Sequence, residues 1–197
     1  MARPFERTFK VASQTKVYSG VQATLKIPTA LTLSSGNQTD YLTWYIGFTD
    51  AGGRSIEAGI SYSKKNTPNA HFRKMINTSC GNSYSEMMTV QPSSGNLVNI
   101  KLINNGNSTA SLYIRGDLVT TISCSGLATL TEAKLVHGTE GNDCKYTNAE
   151  FQSAQYRNSS GTWVSWTTGY VTTAATGSSV SPIVVANILN PLKTSAG

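Results

Sequence analysis

A chain of 197 residues is long enough to bury one sizeable core and rarely two, so a single domain spanning residues 1–197 is expected. Charged residues make up only 13% and apolar ones 39%, leaving Ser, Thr, Asn and Gly to wet the surface, which disfavours long charged helices. The formal net charge of +6 favours anionic partners, but its only concentration is Lys64, Lys65, Arg73 and Lys74, without the basic stripe and interleaved aromatics of a nucleic-acid binder.

Along the chain, apolar residues recur at period two, the pattern of half-buried strands. In "VYSGVQATLKI", Val17, Val21, Ala23, Leu25 and Ile27 fall on one side. The same alternation predicts strands at residues 41–48 ("YLTWYIGF"), 55–63 ("SIEAGISYS"), 96–103 ("NLVNIKLI"), 110–116 ("ASLYIRG"), 118–125 ("LVTTISCS") and 162–171 ("TWVSWTTGYV"). Between them lie turn-forming stretches such as "SSGNQTD", "DAGGRS", "PSSGN", "NNGNST", "TEGND" and "NSSG". If the segments around Lys64, Lys65, Arg73 and Lys74 pair, these cations face each other across a hairpin. "LATLTEAKLV" fits a helix or a strand equally well. A last apolar segment, Ile183 to Leu189, lies between prolines and is expected to close a sheet edge. About a dozen short strands at this spacing predict an all-β antiparallel sandwich or barrel.

No apolar run approaches the roughly 18 residues of a bilayer-spanning helix, and "MARPFERTFKV" lacks the apolar stretch of a signal peptide. No membrane partner is therefore expected, although the composition is that of secreted β-proteins. Cys80, Cys124 and Cys144 have no C-x-x-C spacing, so neither a metal nor another cofactor is implied, and one disulfide or none is possible. His71 and His137 stand alone, which is more often a structural situation than a catalytic one.

The segments "VQATLKIP", "WYIGF", "IEAGISY", "GNLVNIKLINNGNSTASLYI", "TTISCSG" and "CKYTNAEF" occur in an order and spacing that resemble those of the glutamic peptidases, or eqolisins. The resemblance covers about Val17 to Val171. It implies a concanavalin A-like sandwich, or jelly roll, with a concave groove. It also implies that Glu150, at the end of "TNAE", holds the position of the catalytic acid/base, with Glu57 where the family has its partner glutamine. By the resemblance Tyr45 stands on the groove where the family has tryptophan, and Asp50 stands slightly displaced; read as a binding face, Trp44, Tyr45, Tyr62, Trp163 and Trp166 could supply apolar platforms, with Trp163 and Trp166 on opposite faces.

A glutamine donates an N–H to a developing oxyanion; an ionised glutamate cannot. Two carboxylates on one face would instead share a proton and activate water only in acid. The family's disulfide to the position of Cys144 lacks its second cysteine here, so the bridge is expected between Cys80 and Cys124, as in an oxidising compartment.

The departures favour an extracellular sandwich with an altered groove that binds an extended polysaccharide or peptide, or serves structurally, without specific nucleic-acid contact. The alternative is an acid hydrolase, a glutamic-type peptidase or less readily a glycoside hydrolase, that uses Glu150 with Glu57. Glu57 and Glu150 are then expected on neighbouring strands of one sheet. The sequence says nothing of oligomeric state.

Overall fold

The structure, a computed structural model, describes residues 5–12, 18–33, 38–128, 130–141, 144–167, 170–175, 183–188 and 191–197. In chain order the strands begin with β1 (Phe5–Ala12), β2 (Tyr18–Lys26), β3 (Ala30–Thr32), β4 (Tyr41–Asp50), β5 (Ser55–Ser63) and β6 (His71–Thr78). Next come β7 (Ser83–Met87), β8 (Leu97–Asn104), β9 (Thr109–Ile114), β10 (Asp117–Ser123) and β11 (Leu130–Glu140). The last are β12 (Lys145–Asn158), β13 (Trp163–Ser165), β14 (Tyr170–Ala175), β15 (Ile183–Asn187) and β16 (Leu192–Ala196). No helix occurs among the described residues.

These strands form two antiparallel sheets. One has seven strands in the order β14-β1-β11-β4-β5-β6-β7; the other has nine, running β10-β9-β8-β2-β12-β16-β15, with β3 and β13 also paired to β12. The sheets stack with β4 over β2 and β8, and β11 over β2 and β12. Alternation explains the stacking. Leu42, Trp44, Ile46 and Phe48 of β4 and Ile56, Ala58 and Ile60 of β5 point inward to meet Val21, Ala23 and Leu25 of β2 and Val98, Ile100 and Leu102 of β8. Each such large aliphatic or aromatic side chain contributes about 1.5–3 kcal/mol by leaving water.

Aromatic contacts tie the sheets together. The Trp44 ring meets Tyr146 edge-on at 5.4 Å, and His137 lies 4.9 Å from Phe151. A buried hydrogen-bond chain also crosses the interface, joining His137 Nδ1 of β11 to Thr194 Oγ1 of β16 and Thr194 Oγ1 to the Tyr146 hydroxyl of β12. Burial pushes the His137 imidazolium down to about 3, so the ring is neutral in the folded protein.

Several elements differ from the sequence reading. The ambiguous segment is strand β11. "TWVSWTTGYV" is not one strand: β13 pairs with β12 in one sheet and β14 with β1 in the other. "ASLYIRG" stops at Ile114, because Arg115 and Gly116 take φ of 57° and 93° and form the two-residue turn into β10. β1, β7 and β16 were not anticipated; the tail does close an edge, with β15 outermost and β16 inserted beside β12. Val17 and Leu189 lie outside the described residues.

Cys80, in the turn after β6, is bonded to Cys124, just after β10, with Cα atoms 5.2 Å apart. The bridge joins the two sheets on the side where β7 and β10 are the edge strands, and Asn82 Nδ2 donates to the Ser123 carbonyl beside it. Cys144 carries no disulfide; its buried thiol donates to the Glu140 carbonyl. Replacing both Cys80 and Cys124 by Ala removes a constraint spanning 44 positions of the unfolded chain. Urea denaturation of this variant should show a loss of about 4 kcal/mol.

Candidate functional site

Along β4 and β5 the inward positions are even-numbered, which turns Tyr45, Gly47, Glu57, Gly59, Ser61 and Ser63 to the outer face of the seven-stranded sheet. The cross-strand register makes rows on that face. One runs Lys134–Gly47–Glu57–Asn77, and the next runs Val136–Tyr45–Gly59–Met75.

Glu57 and Lys134 sit two strands apart, yet Lys134 Nζ lies 2.5 Å from Glu57 Oε1, with side-chain exposures of 9% for the lysine and 22% for the glutamate. They meet because Gly47, between them, has no side chain: a Cβ there would stand 3.0 Å from Glu57 Cγ and 2.5 Å from the Ile56 carbonyl oxygen. The glycine serves as a gap through which the ion pair reaches across β4. Gly59 leaves a gap between Tyr45 and Met75 in the next row, where an added Cβ would meet the Trp44 carbonyl oxygen at 2.3 Å.

Beside this pair lies a cleft of ≈ 300 Å³, bounded by Tyr41, Tyr45, Ser61, Ser63, Met75 and Asn77, with Gln38, Thr39 and Lys65 at its rim. Arg73 closes the neighbouring row; its guanidinium donates to Ser85 Oγ and the Lys65 carbonyl and is almost wholly covered. The hairpin pairing expected around Lys64, Lys65, Arg73 and Lys74 is present, but it splits the cations: Arg73 lies opposite Ser61, while Lys74, opposite Ile60, forms an ion pair with Glu86 at 2.6 Å.

Glu150 is elsewhere. It belongs to β12 of the nine-stranded sheet, so the expectation that it shares a sheet with Glu57 is overturned. Its carboxylate faces out from that sheet between Lys193 Nζ at 3.3 Å and Lys26 Nζ at 3.5 Å, and Gln152 Nε2 donates to its other oxygen at 2.8 Å. Burial alone would raise its pKa, but the Gln152 and Lys193 hydrogen bonds and the two ammonium charges outweigh it and hold the carboxyl below its ordinary value. Glu150 is an ionised acceptor held by three partners.

The groove residues divide. Tyr45 lines the cleft and is 3% exposed. Trp44 is wholly buried between the sheets, and Tyr62 also faces inward, its ring 4.9 Å from Phe72; neither reaches the outer face. Asp50 is a structural clasp at the end of β4: Oδ1 accepts from the Arg54 amide at 2.7 Å and Oδ2 from the Ala128 amide at 3.0 Å. Burial opposes its ionisation, but these amides, that of Gly52 and the Arg54 charge lower its pKa. Trp166 is buried and Trp163 partly exposed, on opposite faces as the spacing implied. The sequence reading missed Lys134; the signal available was a lone lysine among apolar neighbours in "AKLV".

By sequence the chain matches no protein-family model and no curated protein. By structure it is similar to scytalido-glutamic peptidase bound to a transition state analog inhibitor, with TM-score 0.67, 16% identity and 100% of both chains covered. SCP-B, a member of the eqolisin family solved with the tripeptide Ala-Ile-His, superposes with TM-score 0.60 at 15% identity over 100% of this chain and 99% of that one. A tetrameric galectin from the ball sponge Cinachyrella sp. gives 0.50 at 11% identity over 76% of this chain and 98% of that one. The architecture is thus the jelly-roll sandwich of the eqolisins.

A double-mutant cycle over Glu57→Gln and Lys134→Met should give a coupling of about 1 to 3 kcal/mol, above that of exposed pairs, because the lysine is nearly covered. At pH 7, Glu150→Gln should cost about 1 to 3 kcal/mol in urea denaturation through its lost charge-assisted bonds. A carboxyl with a lowered folded pKa stabilises above its ordinary value of 4.5, so the difference from wild type should shrink as pH falls below it.

Proposed function

We propose that this sandwich is a binding protein that works outside the cell, holding an extended polymer, peptide or polysaccharide, in the cleft of the seven-stranded sheet without hydrolysing it. The observation that carries the reading is the Glu57–Lys134 ion pair at 2.5 Å. Acid–base hydrolysis by paired carboxylates needs two of them to reach one bond. Here the neighbour of Glu57 is an ammonium, and Glu150 is in the other sheet with two lysines of its own. The Glu57 carboxylate has no N–H of its own to offer an oxyanion, and its oxygen is engaged by Lys134.

The cleft supports binding in positive terms. Tyr45 and Met75 supply apolar wall, and the hydroxyls of Tyr41, Ser61 and Ser63 with the Asn77 amide supply convergent polar groups. The bond between Cys80 and Cys124 supports the extracellular assignment, since such bonds persist in oxidising compartments.

Incubated with an unfolded protein between about pH 2 and pH 5, where carboxylate pairs are active, wild type and Glu57→Gln should both leave it intact. Cleavage by either would refute the non-catalytic reading. In parallel, Tyr45→Ala should weaken retention on insoluble polysaccharide, or binding of an unfolded peptide followed by NMR, by roughly tenfold. Retention and shifts unaltered by that change would rule out the cleft as the binding site.

A further inference from the structure

The outer face of the nine-stranded sheet carries a second cavity, of ≈ 560 Å³, bounded by Glu150, Gln152, Ser153, Gln155, Ser165 and Pro191. We propose that it is a saccharide site suited to a uronic-acid-bearing oligosaccharide. This does not rest on the reading of the seven-stranded sheet.

Its polar groups are arranged in a graded series. Gln152, which lines the cavity, gives an N–H to Glu150 and keeps its carbonyl oxygen as an acceptor. Gln22 Nε2 donates to Gln155 Oε1 at 2.5 Å, which leaves the Gln155 amide nitrogen as a donor. The Ser165 hydroxyl, opposite Gln155 in the β12–β13 pairing, can do both. Carboxylate, carbonyl, amide N–H and hydroxyl in sequence match vicinal sugar hydroxyls, each of which donates and accepts. Two irregularities in β12 make the arrangement: Asn148 and Ser153, at φ of 58° and 51°, break the alternation so that Glu150, Gln152 and Gln155 all face out.

An apolar platform adjoins the polar row. Trp163 lies on the same face two residues from Ser165, about 7 Å along the strand. Its indole rests above Gly20, where an added Cβ would meet Trp163 Cη2 and Ile103 Cδ1 at 3.2 Å each. A partly exposed indole beside convergent hydrogen-bonding groups fits the C–H face of a pyranose.

Charge selects the class of sugar. Lys26 and Lys193, with side chains 36% and 34% exposed, flank the single carboxylate of Glu150, so the local balance is cationic and each ammonium has N–H groups to spare. A hexuronate carboxylate completes that balance. An extended peptide would bind a sheet chiefly through open backbone groups, and most of this part of β12 is paired: Glu150 and Phe151 to β2 and β16, Gln155 to Arg157 to β2 and β13, while the Ala154 carbonyl accepts from the Trp166 amide.

The test is a titration of the isotope-labelled protein with trigalacturonate, followed by amide and indole NMR shifts. The result expected is saturable shifts in β12, β13 and the Trp163 indole, with Kd in the range of about 0.1 to 1 mM, weakening as salt rises. Trp163→Ala and Gln155→Ala should each weaken binding by roughly tenfold; both leave Glu150 and its lysines in place, so folding is preserved. Equal affinity for neutral galactotriose would overturn the acidic-sugar assignment. Shifts confined to β4 and β5, or none up to about 10 mM, would overturn the site.

Discussion

Period-two alternation across a shared core is the constraint from which the remaining structure follows. Once Leu42, Trp44, Ile46 and Phe48 are committed to the interior, Tyr45 and Gly47 have no choice but the outer face, and the same holds for Glu57 beside Ile56 and Ala58. Stacked sheets lie about 10 Å apart. Glu57 and Glu150 face away from each other on opposite sheets, so the whole thickness of the sandwich stands between them. No side-chain rearrangement can unite them; only a change of topology could.

Each outer face has therefore developed its own polar chemistry. On the seven-stranded sheet a glycine gap at Gly47 lets an acid and a base cancel across an intervening strand. On the nine-stranded sheet an acid is held between two cations that it does not fully balance. One face is close to neutral at its centre and the other is cationic, although both are built from the same hydroxyl- and amide-rich composition.

Legibility in the sequence followed the strength of alternation. β2, β4, β5 and β8 carry three or four inward apolar residues each, and their positions were readable to within a residue or two at the ends. β7, "SYSEM", has almost none, and β16, "LKTSA", has only Leu192 and Ala196 with the polar Thr194 between them, because an edge strand and a short strand beside an edge need little apolar surface. Sheet membership was not readable at all, since strand order in the chain does not say which sheet a strand joins. Glu150 shows the difficulty: the "TNAE" motif was legible, but the bulge at Asn148 shifts the parity of everything after it, so that Tyr146 and Ala149 both face the core. A local match to a catalytic segment could not reveal that its carboxylate opens on the other side of the molecule.

The buried chain from His137 through Thr194 to Tyr146 sets a boundary on the conditions in which the molecule persists. The unfolded chain takes up a proton on this imidazole near its ordinary value of 6.5, whereas the folded protein resists until about 3. Stability is unaffected above 6.5 and declines as pH falls toward 3, by roughly 2 to 3 kcal/mol at about pH 4.5. That interval is where a carboxyl group would have to be protonated to serve as an acid. The histidine that locks the C-terminal strand to the opposite sheet thus gives the sandwich an acid-labile keystone.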